Sequence, residues 1–165
     1  RGVKQTMNGK GTVDAAMGSE KTTWEEAKAD ILGLFMVSSL IDMGEITDIT
    51  KEESIATFIA GIVRSVRFGF ASSHGKANMM CYNYMEKNGA FSRNEEGKWV
   101  IDFEKAAECI NSWANLIIET QATGNVEFAK AYSAENASIG EALAADIEKI
   151  NGAGIPRDIV FDFAW

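Results

Sequence analysis

Two glutamates and an aspartate in one stretch are the residues whose types and spacing could do chemistry. They stand in the run Trp24-Glu25-Glu26-Ala27-Lys28-Ala29-Asp30. Because Glu26 and Asp30 are four residues apart, their carboxylates share a helix face and repel each other unless a cation lies nearby. Zinc is one such cation, since carboxylates bind it directly and also orient ligating histidines. The alternative is that early acids stabilise the helix N-terminus while Lys28 relieves the repulsion, and spacing alone favours this alternative.

The chain contains one histidine, His74, which follows two serines and precedes a glycine at the start of a predicted helix. On residue types alone, a single histidine in this setting is typically structural or solvated. Arg67 interrupts an apolar helix and either pairs with nearby acids or binds a carboxylate or carbonyl of a peptide. Cys81 and Cys109 form no CxxC pair, so we predict reduced thiols in or near the core.

Capping patterns and apolar periodicity predict the elements that carry these residues. Thr22 and Thr23 each stand three residues before a glutamate, which predicts capping boxes and a helix over about 23–43 with Phe35 facing inward. The run Thr50-Lys51-Glu52-Glu53 repeats the pattern. A second helix is predicted from Thr50 to about 68 or 70, and a third over about 73–88. A hairpin is predicted near 91–101, followed by a helix over about 102–123 with Phe103 facing inward. One or two shorter helices are predicted up to about 150.

We therefore predict a mainly α fold, a single helical domain of about five to seven helices with one small β-hairpin near 91–101. Residues 1–21 show no sustained periodicity and are predicted to be a loop or linker, with the helical domain over 22–165. The tail 151–165 contains the only proline and is predicted to be extended and aromatic. Because the chain begins with Arg1 rather than Met, we expect a fragment of a longer protein.

Composition excludes several classes of partner. The formal charge of −8 and the absence of a basic stripe argue against nucleic acid. No apolar run approaches the roughly 18–20 residues that span a bilayer, which argues against a membrane partner. With no signal-peptide pattern at the N-terminus, we expect a cytoplasmic protein.

Several blocks of the sequence resemble the dipeptidyl peptidase III family of zinc peptidases. Glu-Glu-Ala-Lys-Ala-Asp at 25–30 looks like the family's Glu-Glu-Cys-Arg-Ala-Glu motif, in the form that bacterial and plant-type relatives often carry. Residues 60–69 and 73–80 resemble the next two family blocks, and residues 103–125 resemble a later one. The resemblance covers most of 22–135 in order, and is strongest over 22–92.

The resemblance implies a set of site residues. Glu26 would be the zinc ligand, while Glu25 and Asp30 would hydrogen-bond the zinc-bound histidines. Asp30 is one methylene shorter than the glutamate usual in the family. His74 would hydrogen-bond the substrate and help to stabilise the developing oxyanion. Asn78 stands where many relatives have arginine, and we name it with Arg67 as a substrate-binding candidate.

The family's two zinc-binding histidines and its catalytic glutamate lie in an upstream His-Glu motif, and these 165 residues contain no such motif. Three protein ligands are the usual minimum for catalytic zinc. We therefore expect zinc and a peptide substrate to bind the intact protein, with the upstream part of the same chain as partner. We expect the fragment alone to lack zinc and to be inactive.

Two other functions stay open at this point. The chain could be a helical interaction module that has kept the fold and lost catalysis. It could also belong to a Nudix-associated protein, since some plant relatives attach a Nudix domain to this region. A Nudix box needs an Arg-Glu dipeptide, and the sequence has none.

Overall fold

The structure is a computed structural model that describes residues 4–159. Within that range the chain is mainly α-helical with one two-stranded antiparallel hairpin, as predicted. No helix there is both long and apolar enough to cross a membrane. The elements are α1 (Val13–Met17), a 3₁₀ turn (Gly18–Glu20), α2 (Lys21–Asp42), α3 (Lys51–Val66), α4 (Ser73–Lys87), β1 (Phe91–Arg93), β2 (Trp99–Ile101), α5 (Phe103–Thr123), α6 (Val126–Asn136) and α7 (Glu141–Gly152).

The N-terminal region differs from the prediction. Residues 13–20 are helical rather than a loop, because Thr12 caps α1 by accepting a hydrogen bond from the Ala15 backbone N–H. The 3₁₀ turn then runs directly into α2, so the capping boxes predicted at Thr22 and Thr23 are wrong. The first turn of α2 holds no acidic residue, and Glu26 lies beyond it. Stabilisation of a helix start therefore does not account for Glu26.

The capping box predicted at the start of α3 is confirmed. The Glu53 backbone N–H donates to Thr50 Oγ1 at 3.1 Å, and the Thr50 N–H donates to Glu53 Oε2 at 2.8 Å. The helix ends at Val66 rather than at 68–70. The helix ends there because the backbone N–H groups of residues 67–69 donate to carbonyls three residues earlier instead of four. Gly69, at φ +104°, then turns the chain away from the helix axis.

The long helix α2 lies at the centre, in contact with α3, α4 and α5. Its buried side carries Trp24, whose ring lies 6.2 Å from that of Trp113 on α5. Phe35 and Phe103 were predicted to face inward, and this is wrong. Both are more than a third exposed, because they line an open groove of about 390 Å³ between α2, α3 and α5 instead of the core.

Both cysteines are buried and unpaired, as predicted. Cys81 and Cys109 are each less than 5% exposed. Burial raises the pKa of both thiols, so neither is a ready thiolate nucleophile at neutral pH.

The predicted hairpin is present, with Phe91 opposite Ile101 and Arg93 opposite Trp99. Asn94 closes it, because its side-chain oxygen accepts from the Glu96 and Lys98 backbone N–H groups. The described part of the segment after α7 runs to Ile159, and the predicted aromatic end at 160–165 lies outside the described residues.

Candidate functional site

The structure brings three of the predicted site residues together at the surface between α2 and α4. His74 Nδ1 lies 3.4 Å from Glu26 Oε2 and 3.7 Å from Asp30 Oδ2. A carboxylate can only accept a hydrogen bond, so the Nδ1–H is the donor in the contact with Glu26. The Asp30 carboxylate is too far away for a hydrogen bond and interacts with the ring through its charge. We call Glu26, Asp30 and His74 the acidic cluster. Its side chains are partly exposed, at 42%, 29% and 51%.

Asp30 is the least exposed member of the acidic cluster. Its pKa is raised, chiefly because burial disfavours the charged form. The imidazole of His74 acts in the opposite direction, and the charge of Glu26 adds to the rise. The two carboxylates therefore repel each other on one helix face, which is what their spacing predicted.

The start of α4 sets the position of His74. Ser72 caps the helix by accepting from the Gly75 backbone N–H at 3.1 Å. Gly75 is required there, since a Cβ at that position would lie 2.6 Å from the Phe70 Cα and 2.8 Å from the Gly69 carbonyl oxygen. The preceding loop therefore crosses directly over the first turn of α4, the turn that carries His74.

Glu25 contacts two donors that lie outside the acidic cluster. Lys28 Nζ lies 2.7 Å from its Oε1, and Gln121 Nε2 donates to the same oxygen at 2.8 Å. Lys28 is only 8% exposed, and Gln121 on α5 is completely buried. The cation that sequence analysis placed near these acids thus contacts Glu25.

The structure does not bring the two substrate-binding candidates into the acidic cluster. Asn78 is 5% exposed and donates to Ser65 Oγ at 2.7 Å. Arg67 donates to Asn151 Oδ1 at 3.1 Å and to the carbonyls of Ile155 and Pro156 at 2.7 and 3.2 Å. Both side chains thus bond to groups outside the cluster.

Sequence reasoning missed Gln121. The buried face of α5 includes Ile110, Ala114 and Ile117, and Gln121 continues that face one turn later. A polar residue at a predicted core position is the signal that could have found it, because buried polar groups require a partner.

The donor set of this region fits part of a zinc site. Carboxylates are zinc ligands, and carboxylates beside a metal also orient its histidines. Glu26 presents an accessible carboxylate with two further acids beside it on α2. Between Lys4 and Ile159, however, no group of three or more His, Cys, Asp or Glu side chains is arranged to hold a metal ion. Glu26 could therefore contribute one ligand, and further donors would have to come from elsewhere.

Comparison with solved structures identifies the architecture. The chain superposes on DPP III from Caldithrix abyssi with a TM-score of 0.87 and 28% identity, covering 96% of this chain and 30% of that one. Dipeptidyl-peptidase III from Corallococcus sp. strain EGB gives a TM-score of 0.85 and 28% identity, covering 94% and 29%. The fold is that of a dipeptidyl peptidase III segment. The resemblance in fold inferred from the sequence blocks is thereby confirmed.

A search of family models found no match. Among curated proteins, Nudix hydrolase 3 of Arabidopsis thaliana is 31% identical over 148 residues, which are 90% of this chain and 19% of that protein. The chain thus spans about a fifth of that relative and about 30% of the two solved structures.

Proposed function

We propose that this chain forms one wall of the active site of a zinc-dependent peptidase of the dipeptidyl peptidase III type. In this proposal Glu26 is a zinc ligand, Glu25 and Asp30 orient two zinc-bound histidines, and His74 contacts the peptide substrate. The histidines and the catalytic glutamate would come from outside these 165 residues. The two structural neighbours are dipeptidyl peptidases, which supports the reaction class.

The observation that carries the proposal is the acidic cluster on a fold shared with these peptidases. Glu26 and Asp30 repel each other, and Lys28 contacts Glu25 instead of either of them. His74 is the one basic side chain that contacts Glu26 or Asp30 in the described range. A metal cation bound at Glu26 would balance this excess of negative charge.

Zinc, when bound, lowers the pKa of a coordinated water and polarises a peptide carbonyl. The residues of this chain would act around that chemistry. Because the Nδ1–H of His74 faces the carboxylates of Glu26 and Asp30, Nε2 is the ring atom left to meet the substrate. Nε2 donates a hydrogen bond to the substrate oxygen when the ring is protonated. The hydrogen bond from Nδ1 to Glu26 favours the ring orientation in which Nε2 points away from α2.

Asn78 and Arg67 would act less directly. Asn78 ties α4 to α3 through Ser65 one turn after His74, and so supports the start of α4. Arg67 would have to exchange its contacts with the segment after α7 before it could bind a peptide.

The test uses the full-length polypeptide and compares Glu26→Gln with Glu119→Gln. Glu119 is an exposed glutamate on α5 outside the acidic cluster, which makes its variant a control for loss of one negative charge. Zinc content and release of dipeptides from a chromogenic dipeptide substrate are measured. We expect Glu26→Gln to lower both zinc content and the rate of dipeptide release. Each loss should exceed the roughly 10–100-fold that is typical when a residue outside the ligand set is changed. Glu119→Gln should match the wild type.

Two results would contradict the proposal. Glu26→Gln could retain wild-type zinc content and activity, which would remove Glu26 from the metal site. Alternatively, the wild-type protein could bind no zinc and release no dipeptide, and this result would favour the helical interaction module. Hydrolysis of nucleoside diphosphate derivatives by the wild type would point to an attached Nudix domain, because these residues contain no Arg-Glu dipeptide.

A further inference from the structure

The carboxylate of Glu25 is fixed through only one of its oxygens. Lys28 Nζ and Gln121 Nε2 both contact Oε1, at 2.7 and 2.8 Å. No group in the described range donates to Oε2. The side chain is 39% exposed, so the carboxylate is within reach of a donor from outside α2 and α5.

Gln121 is an unusual residue for its position. It is completely buried near the C-terminal end of α5, where the neighbouring positions of the same face are apolar. Its Nε2 reaches α2 across the helix interface, but no protein group between Lys4 and Ile159 donates to its Oε1. A buried amide with one unmatched end costs stability relative to an apolar residue of the same shape. The hydrogen bond to the charged Glu25 offsets this cost, so no net gain in stability over an apolar residue is expected from a glutamine here.

We propose that Gln121, together with Lys28, is a positioning residue that acts through Glu25. The two donors on Oε1 fix the plane of the carboxylate and direct Oε2 towards the acidic side of α2. There Oε2 accepts the N–H of a metal-bound histidine. This inference rests on the proposed function. It adds that Gln121, a residue of α5, orients the carboxylate that contacts the histidine.

The physical basis is the geometry of hydrogen bonds to a carboxylate. A glutamate held by a single hydrogen bond, here the one from Lys28, can still rotate about its terminal torsion, which is broad. A second donor from a buried side chain on another helix removes that freedom, because Gln121 cannot move without disturbing the core. Groups that orient a metal-bound histidine in this way typically affect metal affinity by about 10–100-fold.

The experiment measures the zinc dissociation constant of the full-length protein by competition with a chelator, alongside the urea midpoint of unfolding. The variants are Gln121→Met, which keeps the shape and removes the donor, and Gln121→Glu, which places a second carboxylate against Glu25. Thr120→Val is the control. Thr120 is 4% exposed on the same helix, and its hydroxyl donates only to the Leu116 carbonyl within α5.

We expect Gln121→Met to weaken zinc binding by about 10–100-fold, while its urea midpoint stays unchanged or rises. Gln121→Glu should weaken binding at least as much, and Thr120→Val should leave the zinc constant unchanged. A double-mutant cycle then tests the route: Gln121→Met combined with Glu25→Ala should bind zinc no more weakly than Glu25→Ala alone.

Either of two outcomes overturns the inference. Wild-type zinc affinity in both Gln121 variants would show that the glutamine does not act on the site. If the double variant weakened zinc binding by the product of the two single-variant factors, Gln121 would act on the site by a route other than Glu25. A Glu26→Ala variant separates these failures from failure of the proposed function, because unchanged zinc affinity in Glu26→Ala would refute the metal site itself.

Discussion

Two groups of charged side chains meet α4, and they are organised in opposite ways. Around Arg93 the charges are matched: its guanidinium donates to Asp146 at 2.9 Å, to Glu86 at 2.8 Å and to the Tyr82 hydroxyl at 3.1 Å. The guanidinium also lies 4.9 Å from the Trp99 ring, whose N–H donates to Asp146 at 2.9 Å. We call these five residues the Arg93 cluster.

The acidic cluster at the other end of α4 is unmatched. Glu26 and Asp30 share His74, whose contacts with them are longer, at 3.4 and 3.7 Å. Arg93 is only 20% exposed, whereas His74 is 51% exposed. A matched, enclosed cluster can stabilise the fold, while an open and unmatched one is available to a ligand. The comparison therefore fits the proposal in which the Arg93 cluster stabilises the fold and the acidic cluster belongs to the active site.

The largest expected effect on stability comes from breaking the matched cluster. Arg93→Met removes the guanidinium that Glu86 and Asp146 share, although Asp146 keeps the Trp99 N–H and Glu86 keeps the Tyr82 hydroxyl. The free energy of unfolding should fall by about 2 kcal/mol, below the range for a fully buried ion pair, because the Glu86 side chain is 38% exposed. Urea unfolding measures the effect. Lys98→Met is the control, because its ion pair with Glu96 is largely exposed and should be worth less than about 0.5 kcal/mol. Equal losses of unfolding free energy in Arg93→Met and Lys98→Met would show that the Arg93 cluster stabilises the fold no more than an exposed ion pair does.

Changing the unmatched cluster should affect catalysis and leave the fold intact. In the full-length protein, His74→Leu, which removes both ring nitrogens, should lower kcat by about 100-fold, as for loss of one donor to a developing oxyanion. Its free energy of unfolding should change by less than about 0.5 kcal/mol, because the side chain is exposed. Lys76→Gln, an exposed neighbour on α4, is the control. A His74 variant that unfolds readily but keeps wild-type kcat would reverse the assignment.

The smallest expected effect concerns pH. Burial raises the pKa of Tyr82 to about 12, with the hydrogen bond from Arg93 opposing the rise and the charge of Glu86 adding to it. The folded state thus holds this proton more tightly than the unfolded state, where the pKa is near 10. The resulting stabilisation is complete below about pH 10 and is lost as the pH rises towards about 12.

Ultraviolet absorbance of ionised tyrosine measures this titration. Tyr82→Phe should cost about 1 kcal/mol at neutral pH, and the difference between wild-type and variant titrations should centre near pH 12. Tyr84→Phe is the control for loss of a tyrosine elsewhere on α4. A Tyr82 difference centred near its ordinary value of about 10 would show that the Arg93 cluster is open to water.

Local patterns explain which parts of the fold could be predicted. The Thr50 capping box and the hairpin closed by Asn94 depend on residues within a few positions of each other, so the sequence alone determines them. The start of α2 was missed because the 3₁₀ turn before it is itself helical. Backbone carbonyls of that turn can accept from the first N–H groups of α2, so the helix has no side-chain cap that a sequence pattern could show. Phe35 was misplaced because periodicity identifies a helix face but not whether another helix covers it.

The candidate site shows the same limit. Spacing predicted that Glu26 and Asp30 share a face, since both lie on α2. The contact between His74 and Glu26 joins residues 48 positions apart and depends on how α2 and α4 pack. The family resemblance implied that His74 contacts the substrate, but it did not predict this contact. The bond from Gln121 to Glu25 spans 96 residues and two helices, and no local pattern encodes such a contact.

The most direct test of the central claim is anomalous X-ray scattering at the zinc absorption edge from crystals of the full-length protein. We predict a single strong peak beside α2, with a carboxylate oxygen of Glu26 at about 2.0–2.2 Å from it. Two histidines from outside these 165 residues should complete the ligand set. A zinc peak with no contact to Glu26, or no peak in zinc-supplemented crystals, would contradict the account.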